Sequence, residues 1–155
     1  MKQTKKTFFA VLLTVLLLFS FTACKKEKAA PDTLWQNAVY TQDREFGSGK
    51  TTIQTEVKAG NKSVTFTIKT DKATLGDALL EHQLIDGDQG AYGLYVKVVN
   101  GITANYDIDQ SYWAFYKSGE LLMTGVDQTE LADGGGKGLQ IGLVFQFPSD
   151  HSNLS

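Results

Sequence analysis

The sequence predicts an α+β domain in which one mixed sheet curls around a single helix. Two runs with apolar residues at every second position flank a turn at Gly60 and Asn61, which is typical of a β-hairpin. One short amphipathic segment follows between Thr74 and Leu84, with apolar residues at helical spacing. Several β-prone runs then lead to a last strand at Leu139 to Phe147, which again alternates.

The first part of the chain, residues 1–23, has the pattern of an export signal. Three lysines precede an apolar run of 16 residues, from Phe8 to Ala23. A membrane span needs about 20 apolar residues, so this run is short for one. The sole cysteine, Cys24, follows directly, and Phe21-Thr22-Ala23 before it resembles the lipobox of bacterial lipoproteins. In that family the cysteine is lipidated and becomes the mature N-terminus.

Lipidation at Cys24 predicts a protein anchored by lipid to the outer, extracytoplasmic face of the cell membrane. Each buried methylene of the acyl chains contributes about 0.8 kcal/mol to such an anchor. A plain secretory signal or an uncleaved anchor are the alternatives. Residues 24–33 are rich in charge and alanine and predict a flexible tether, while the polar residues 148–155 predict a disordered tail.

Removal of the signal makes the chain more acidic. Loss of Lys2, Lys5 and Lys6 leaves 12 of the 15 basic residues against 17 acidic ones, a net charge of −5. Proteins that bind nucleic acids neutralise phosphates with clustered lysine and arginine. The sequence therefore predicts that nucleic acid is not a partner.

The folded domain is predicted to span residues 34–147. Its first segment, Leu34 to Tyr40, either packs against the domain as an arm or begins its first strand. In both cases Trp35 and Tyr40 are predicted to be core or edge-covering residues rather than ligand contacts.

The helix has an N-terminal capping pattern. Thr74 is the predicted N-cap, and Asp77 stands at the third helical position in the style of a capping box. Leu75, Ala78 and Leu79 form the apolar stripe that is expected to face the sheet.

The aromatic-rich stretch from Tyr92 to Asp127 is predicted to supply the second half of the sheet. Its strands are expected at Tyr95 to Val99, Tyr112 to Tyr116 and Leu121 to Met123. The preceding residues, Asp86 to Gly90, are turn-forming types and predict a loop.

Two stretches come close to ligand-binding loops without meeting the patterns. Gly47 to Thr52 (GSGKTT) lacks the first glycine of a phosphate loop, because Arg44 stands in its place. Asn105 to Ser111 alternates oxygen ligands like a calcium loop, but Tyr112 and Ser118 stand where glycine and glutamate are needed. The sequence predicts an acidic loop here, leaves a weakly held cation open, and predicts neither a metal site nor a cofactor.

An ordered set of short motifs adds a family resemblance. The motifs are Thr74-Leu75, Ala78-Leu79-Leu80, Tyr92-Gly93, Val99-Asn100-Gly101-Ile102, Tyr112-Trp113, Phe115-Tyr116, Gly119, Thr124-Gly125-Val126 and Asp133-Gly134. Together they resemble a family of bacterial surface proteins related to the C-terminal domain of transcobalamin and intrinsic factor. The resemblance covers roughly Leu34 to Phe147. It implies a β-grasp fold of the kind used to bind soluble ligands, which agrees with the order of hairpin, helix and further strands.

The resemblance also bears on the ligand. In the vertebrate relatives this domain covers one face of cobalamin, and a separate helical domain covers the other face. The sequence contains no counterpart of that helical domain. A corrinoid, another small molecule, and a protein or glycan partner are therefore all open.

The predicted function is that of a cell-surface lipoprotein acting as a non-catalytic binding module for a small soluble ligand, with corrinoid-like ligands included. Two groups of residues form the predicted site: an aromatic wall of Tyr112, Trp113, Phe115, Tyr116 and Met123, and a polar approach at the backbone of Thr124 and Gly125. Core packing is the alternative role for each side chain of the wall, and is favoured for Trp113 and Phe115. Besides the ligand and the membrane, a transporter or another envelope protein is a candidate partner.

A surface adhesion or protein-interaction module of the cell envelope is the alternative function. An enzyme is not predicted, because the sole cysteine is assigned to lipid and only two histidines are present. No candidate nucleophile has an evident base near it in the sequence.

Overall fold

In the computed structural model, which describes residues 31–131 and 138–147, the strands form two sheets. The strands are β1 (Arg44–Gly47), β2 (Thr51–Ala59), β3 (Lys62–Thr70), β4 (Ile85–Gly90), β5 (Gly93–Val99), β6 (Ile102–Thr103), β7 (Tyr112–Lys117), β8 (Glu120–Leu121) and β9 (Leu139–Gln146). The α-helices are α1 (Pro31–Leu34), α2 (Leu75–Glu81) and α3 (Tyr106–Asp109), and single 3-10 turns lie at Trp35–Asn37 and Val126–Gln128.

Several predictions concern residues outside the described ranges. The signal peptide with Cys24, the tether up to residue 30 and the tail at 148–155 all lie there. The last three residues of the predicted tether, Pro31 to Thr33, lie in α1. None of the helices within residues 31–131 and 138–147 has the length and apolar composition of a membrane span.

The larger sheet has six strands in the order β1-β3-β2-β9-β7-β8. Its two central strands, β2 and β9, run parallel to each other. Each of them is flanked by an antiparallel neighbour, β3 beside β2 and β7 beside β9. Helices and mixed strands in one domain confirm the predicted α+β class.

One face of this sheet carries the core. Every second residue of β2 and β3 is buried, as the alternation predicted. Helix α2 contributes Leu75, Ala78 and Leu79 to the same core cluster. The Thr74 hydroxyl accepts a hydrogen bond of 3.2 Å from the Asp77 N–H, so the predicted N-cap is confirmed.

The prediction of a single sheet is wrong. Strands β4, β5 and β6 form a separate three-stranded sheet, so the stretch from Tyr92 to Asp127 is divided between two sheets. The residues predicted as a loop, Asp86 to Gly90, belong to β4 and pair with β5. This edge strand is largely exposed after Ile85, so no run of apolar residues marked it in the sequence.

The N-terminal segment packs as an arm and does not begin the first strand. The Trp35 indole is buried and donates a hydrogen bond of 2.9 Å to the Ala59 carbonyl. Asn100 holds the end of the arm, since its side chain accepts from the Tyr40 N–H at 2.9 Å and donates to the Tyr40 carbonyl at 2.8 Å. Trp35 and Tyr40 are thus packing residues, as predicted.

A buried hydroxyl in β2 leads to a stability prediction. The Thr55 side chain is fully buried and its Oγ1 has no hydrogen-bond partner, whereas the equally buried Thr70 hydroxyl accepts from the Lys72 N–H at 3.1 Å. We expect Thr55→Val to raise the free energy of unfolding by about 1 kcal/mol and Thr70→Val to lower it by about 1 kcal/mol. Urea denaturation of both variants measures the difference. Equal losses in the two variants would show that Thr55 is satisfied in solution.

Candidate functional site

An open cleft of about 260 Å³ lies between β5, β7 and the segment that follows β8. Its lining residues are Leu94, Tyr95, Val96, Tyr112, Trp113, Ala114, Phe115, Leu121, Leu122, Thr124, Gly125 and Val126. Most of these are aliphatic or aromatic, and the side-chain polar groups are the hydroxyls of Tyr95, Tyr112 and Thr124 and the indole N–H of Trp113. Ligand sites typically combine an apolar lining with a few polar groups in this way.

The β7 wall of the cleft follows the edge of the strand. Side chains of neighbouring residues in a strand point to opposite faces of the sheet. Trp113 and Phe115 pair with Phe145 and Leu143 on the core face, so Tyr112 and Ala114 lie on the other face. The cleft is lined by four consecutive residues, 112–115, which come from both faces of the sheet. They can meet in one cleft only along the edge of β7 that does not pair with β9.

Asp127 connects the two other walls. Its Oδ2 accepts a hydrogen bond of 3.2 Å from the Leu94 N–H, at the start of the β5 wall. Its Oδ1 is buried without a hydrogen-bond partner. A side chain at Gly93 would lie 2.6 Å from this carboxylate, and Gly93 also has a φ of +104°, so only glycine fits there.

The structure brings five of the seven predicted ligand-binding residues together. Tyr112, Trp113, Phe115, Thr124 and Gly125 all line the cleft. Tyr116 lies on the outer face of the sheet, in a separate shallow trough next to Gly142. Met123 is 88% exposed and does not line the cleft.

Two of the aromatic side chains of the predicted wall also serve the core. Trp113 is buried and its indole N–H donates to the Ile102 carbonyl at 3.3 Å. Phe115 is half-buried and packs against the core cluster. Both side chains therefore pack mainly in or against the core, which is the alternative role named for them, and both also line the cleft.

The opposite wall was missed by the sequence interpretation. Tyr95 and Val96 were predicted to lie in a strand and Leu94 was not, and none of the three was predicted to be a neighbour of β7. They belong to the small sheet, whose position depends on long-range packing and not on local pattern. The exposed ring of Tyr95 was the one local signal, because aromatic side chains on an exposed strand often mark a binding surface.

The charged groups around the cleft are few. The Lys97 ammonium lies on β5 and makes a hydrogen bond and an ion pair with the Asp88 carboxylate of β4, which raises the pKa of Lys97 above its ordinary value. His82, at the end of α2, stacks on Phe46 with ring centroids 5.2 Å apart and does not line the cleft.

The acidic stretch between Asn105 and Ser111 contains a helical turn and is not the loop predicted. The Asn105 side chain accepts from the N–H groups of Asp107 and Ile108 and caps α3. The Asp109 carboxylate accepts from the Ser111 N–H at 2.9 Å. Within residues 31–131 and 138–147, no three His, Cys, Asp or Glu side chains are grouped so that they could hold a metal ion.

Comparison with known proteins finds one family model and similar solved structures. Residues 72–135 match the sequence profile of a domain of unknown function, DUF4430. A solved structure of a candidate metal binding protein from Ruminococcus gnavus is similar, with 33% identity and a TM-score of 0.56. The match covers 63% of this chain and 97% of that one. Among curated proteins, none matches.

A second solved structure, haptocorrin in complex with Cbi, matches with 17% identity and a TM-score of 0.47. That match covers 66% of this chain and 26% of the haptocorrin chain. The match to the Ruminococcus gnavus protein is closer and spans nearly all of it. The chain therefore contains a DUF4430 domain and belongs to the same family as the Ruminococcus gnavus protein.

Proposed function

We propose that the domain is a non-catalytic binding module that holds a small soluble ligand in the cleft between β5 and β7. The observation that carries this proposal is the cleft itself, which is apolar and open along one strand edge. Five residues that the sequence singled out for ligand binding line it. The similarity to the Ruminococcus gnavus protein, a candidate metal binding protein, supports a binding role.

The exposed side chains around the cleft support the same proposal. Tyr95 and Leu121 line it and are 50% and 51% exposed, while Tyr92 is 93% exposed one residue before β5. Exposed apolar side chains grouped beside a concave surface are typical of binding sites. A ligand seated in the cleft would remove part of this surface from water.

The architecture supports a β-grasp assignment as part of the proposal. The hairpin of β2 and β3 pairs in parallel with β9 through β2, and the hairpin of β7 and β8 pairs with the other side of β9 through β7. Helix α2 packs on one face of the resulting sheet. The strand order β3-β2-β9-β7-β8 is the order expected when a hairpin, a helix, a second hairpin and a last central strand fold together. In this proposal β4 to β6 form an insertion that supplies the second wall of the cleft.

Tryptophan fluorescence tests the ligand proposal. The protein has two tryptophans, so Trp35→Phe leaves Trp113 in the cleft as the sole reporter. Titration with cobalamin, cobinamide, haem and divalent cations forms the ligand panel. We expect at least one member to change the Trp113 emission in a saturable way.

A matched pair of variants locates the binding. Tyr95→Ala removes a 50% exposed ring from the cleft, and Tyr106→Ala removes a 55% exposed ring from α3. We expect Tyr95→Ala to weaken binding about 3- to 10-fold, since truncating an aromatic contact commonly costs about 1 kcal/mol. Tyr106→Ala should bind as the parent does. Equal weakening by both variants would place the ligand elsewhere.

The membrane location is part of the same proposal. Cys24 after an apolar run supports lipidation on the extracytoplasmic face. Mass spectrometry of the N-terminal peptide from a bacterial membrane fraction should find Cys24 carrying acyl chains, and Cys24→Ser should release the protein from that fraction. A membrane-bound Cys24→Ser protein would contradict the lipid anchor.

The alternative is an interaction module of the cell envelope. It is favoured by Tyr92 and Met123, which are 93% and 88% exposed. Met123 lies between the cleft-lining residues Leu122 and Thr124, and Tyr92 lies two positions before Leu94. If the ligand panel fails, cross-linking on intact cells from Met123 replaced by a photoreactive residue tests this alternative. Recovery of one envelope protein would support it.

A further inference from the structure

We infer that the cleft takes a short peptide in extended conformation, bound as an additional strand along the free edge of β7. The inference rests on the proposed function, because it names the ligand class of the same cleft. It follows from the backbone of β7, which lines the cleft.

The edge of β7 that faces away from β9 is only partly occupied. β9 pairs with all six residues of β7, whereas β8 pairs only with Tyr116 and Lys117. One further backbone hydrogen bond, from the Leu122 N–H to the Phe115 carbonyl, is 2.8 Å long. No strand in residues 31–131 or 138–147 pairs with Tyr112–Ala114 on this edge.

The hydrogen bond between Leu122 and Phe115 shows which backbone groups of β7 face the cleft. In an antiparallel strand, the N–H and C=O of one residue point to the same edge, and those of the next residue point to the opposite edge. The Phe115 carbonyl points away from β9, so the Phe115 N–H does as well. Two residues earlier, both the N–H and the C=O of Trp113 point the same way. Trp113 therefore offers a donor and an acceptor to one partner residue.

The occupant best matched to this edge is another stretch of backbone. An added strand exchanges paired hydrogen bonds with an edge strand and places alternate side chains in the neighbouring pockets. The free stretch from Tyr112 to Ala114 is about 10 Å long, which corresponds to three or four extended residues. The apolar walls formed by Leu94, Val96 and Leu122 suit aliphatic side chains on such a peptide.

The position of β8 on the same edge of β7 also supports an extended peptide as the occupant. β8 already uses this edge at Tyr116 and Lys117, and its chain leaves the edge after Leu122. A peptide in the cleft would continue the ladder where β8 ends it. The competing occupant is a second copy of the chain, paired edge to edge.

Amide hydrogen exchange measured by NMR on the purified domain tests the inference. The probe is a pool of acetylated and amidated pentapeptides with Val, Leu or Phe at alternate positions and Ser or Thr between them. At saturation we expect the Trp113 amide to exchange at least about 10-fold more slowly, whereas the Phe115 amide, which lies opposite Leu122, should change little. The Ala114 amide points toward β9 and should not change, which makes it the internal control.

A second pool, N-methylated at alternate residues, keeps the side chains but lacks the donors that an added strand needs. We expect it to give no protection at Trp113. Equal protection by both pools overturns the inference, because side-chain contact alone would then explain binding. Protection that rises with protein concentration without peptide also overturns it, in favour of a second copy.

The same samples separate this inference from the proposed function. If cobinamide or another member of the panel changes the Trp113 emission while the peptide pool does not protect the Trp113 amide, the cleft binds ligand but not as a strand. The inference then falls and the proposed function stands. If neither peptide nor any panel member has an effect, both fall.

Discussion

Replacement of Phe66 by alanine is expected to lower the free energy of unfolding by about 3–5 kcal/mol, the range for large-to-small changes in a packed core. The Phe66 side chain is fully buried on the core face of β3. Its ring centroid lies 5.8 Å from that of Tyr40 and 5.5 Å from that of Phe46, both in edge-on contact. The substitution therefore leaves a cavity and removes two aromatic contacts at once.

A loss of this size is a large part of the total stability of a small domain, which is typically about 5–15 kcal/mol. Urea denaturation followed by circular dichroism measures it. The control is Thr67→Ala, one residue further along β3 on the outer face, for which we expect a loss below about 1 kcal/mol. Similar losses in both variants would contradict the assignment of the core to one face of the sheet.

Replacement of Asn100 by alanine is the second large effect, with an expected loss of about 2–4 kcal/mol. Asn100 is 1% exposed and has a φ of +51°, a conformation that alanine adopts with strain. Its side chain satisfies both backbone groups of Tyr40, and truncation leaves them without these partners. Thermal unfolding monitored at several protein concentrations gives the loss of stability.

Asn100→Gly separates the effect of backbone strain from the effect of the lost hydrogen bonds to Tyr40. Glycine loses the same hydrogen bonds to Tyr40 but adopts positive φ without strain. We expect Asn100→Gly to be less destabilising than Asn100→Ala by about 1 kcal/mol. If both variants are equally destabilising, the positive φ at position 100 contributes nothing to the loss of stability. The lost hydrogen bonds to Tyr40 then account for the whole effect.

The parts of the fold that could be predicted are those with strong periodicity. The hairpin of β2 and β3 alternates over its whole length, and Thr74 with Asp77 marks the start of α2. Such local patterns depend on residues close in sequence, and tertiary packing did not override them. The small sheet gave no comparable signal, because β4 is an edge strand rich in Asp and Gly with only Ile85 buried.

The site was predictable to the extent that it lies on one strand. Bulky side chains on both faces of β7 correctly marked a strand with unusual surroundings. Alternation also places Tyr116 on the same face as Tyr112 and not on that of Trp113, which the structure confirms. The position of Leu94, Tyr95 and Val96 opposite β7 depends on how two sheets pack, which a single sequence does not encode in any local pattern.

The parallel pairing of β2 with β9 has a consequence for how the chain reaches its native state. Gln54 and Gln140 are hydrogen-bonded across the centre of the sheet but lie 86 positions apart in the chain. Closing so long a loop is entropically unfavourable and slow, and a ribosome makes β9 after every other strand described. The centre of the sheet therefore cannot form during most of synthesis. A chain that stops before Leu139 keeps β2 and β7 without their shared neighbour, so the larger sheet cannot be completed until β9 is present.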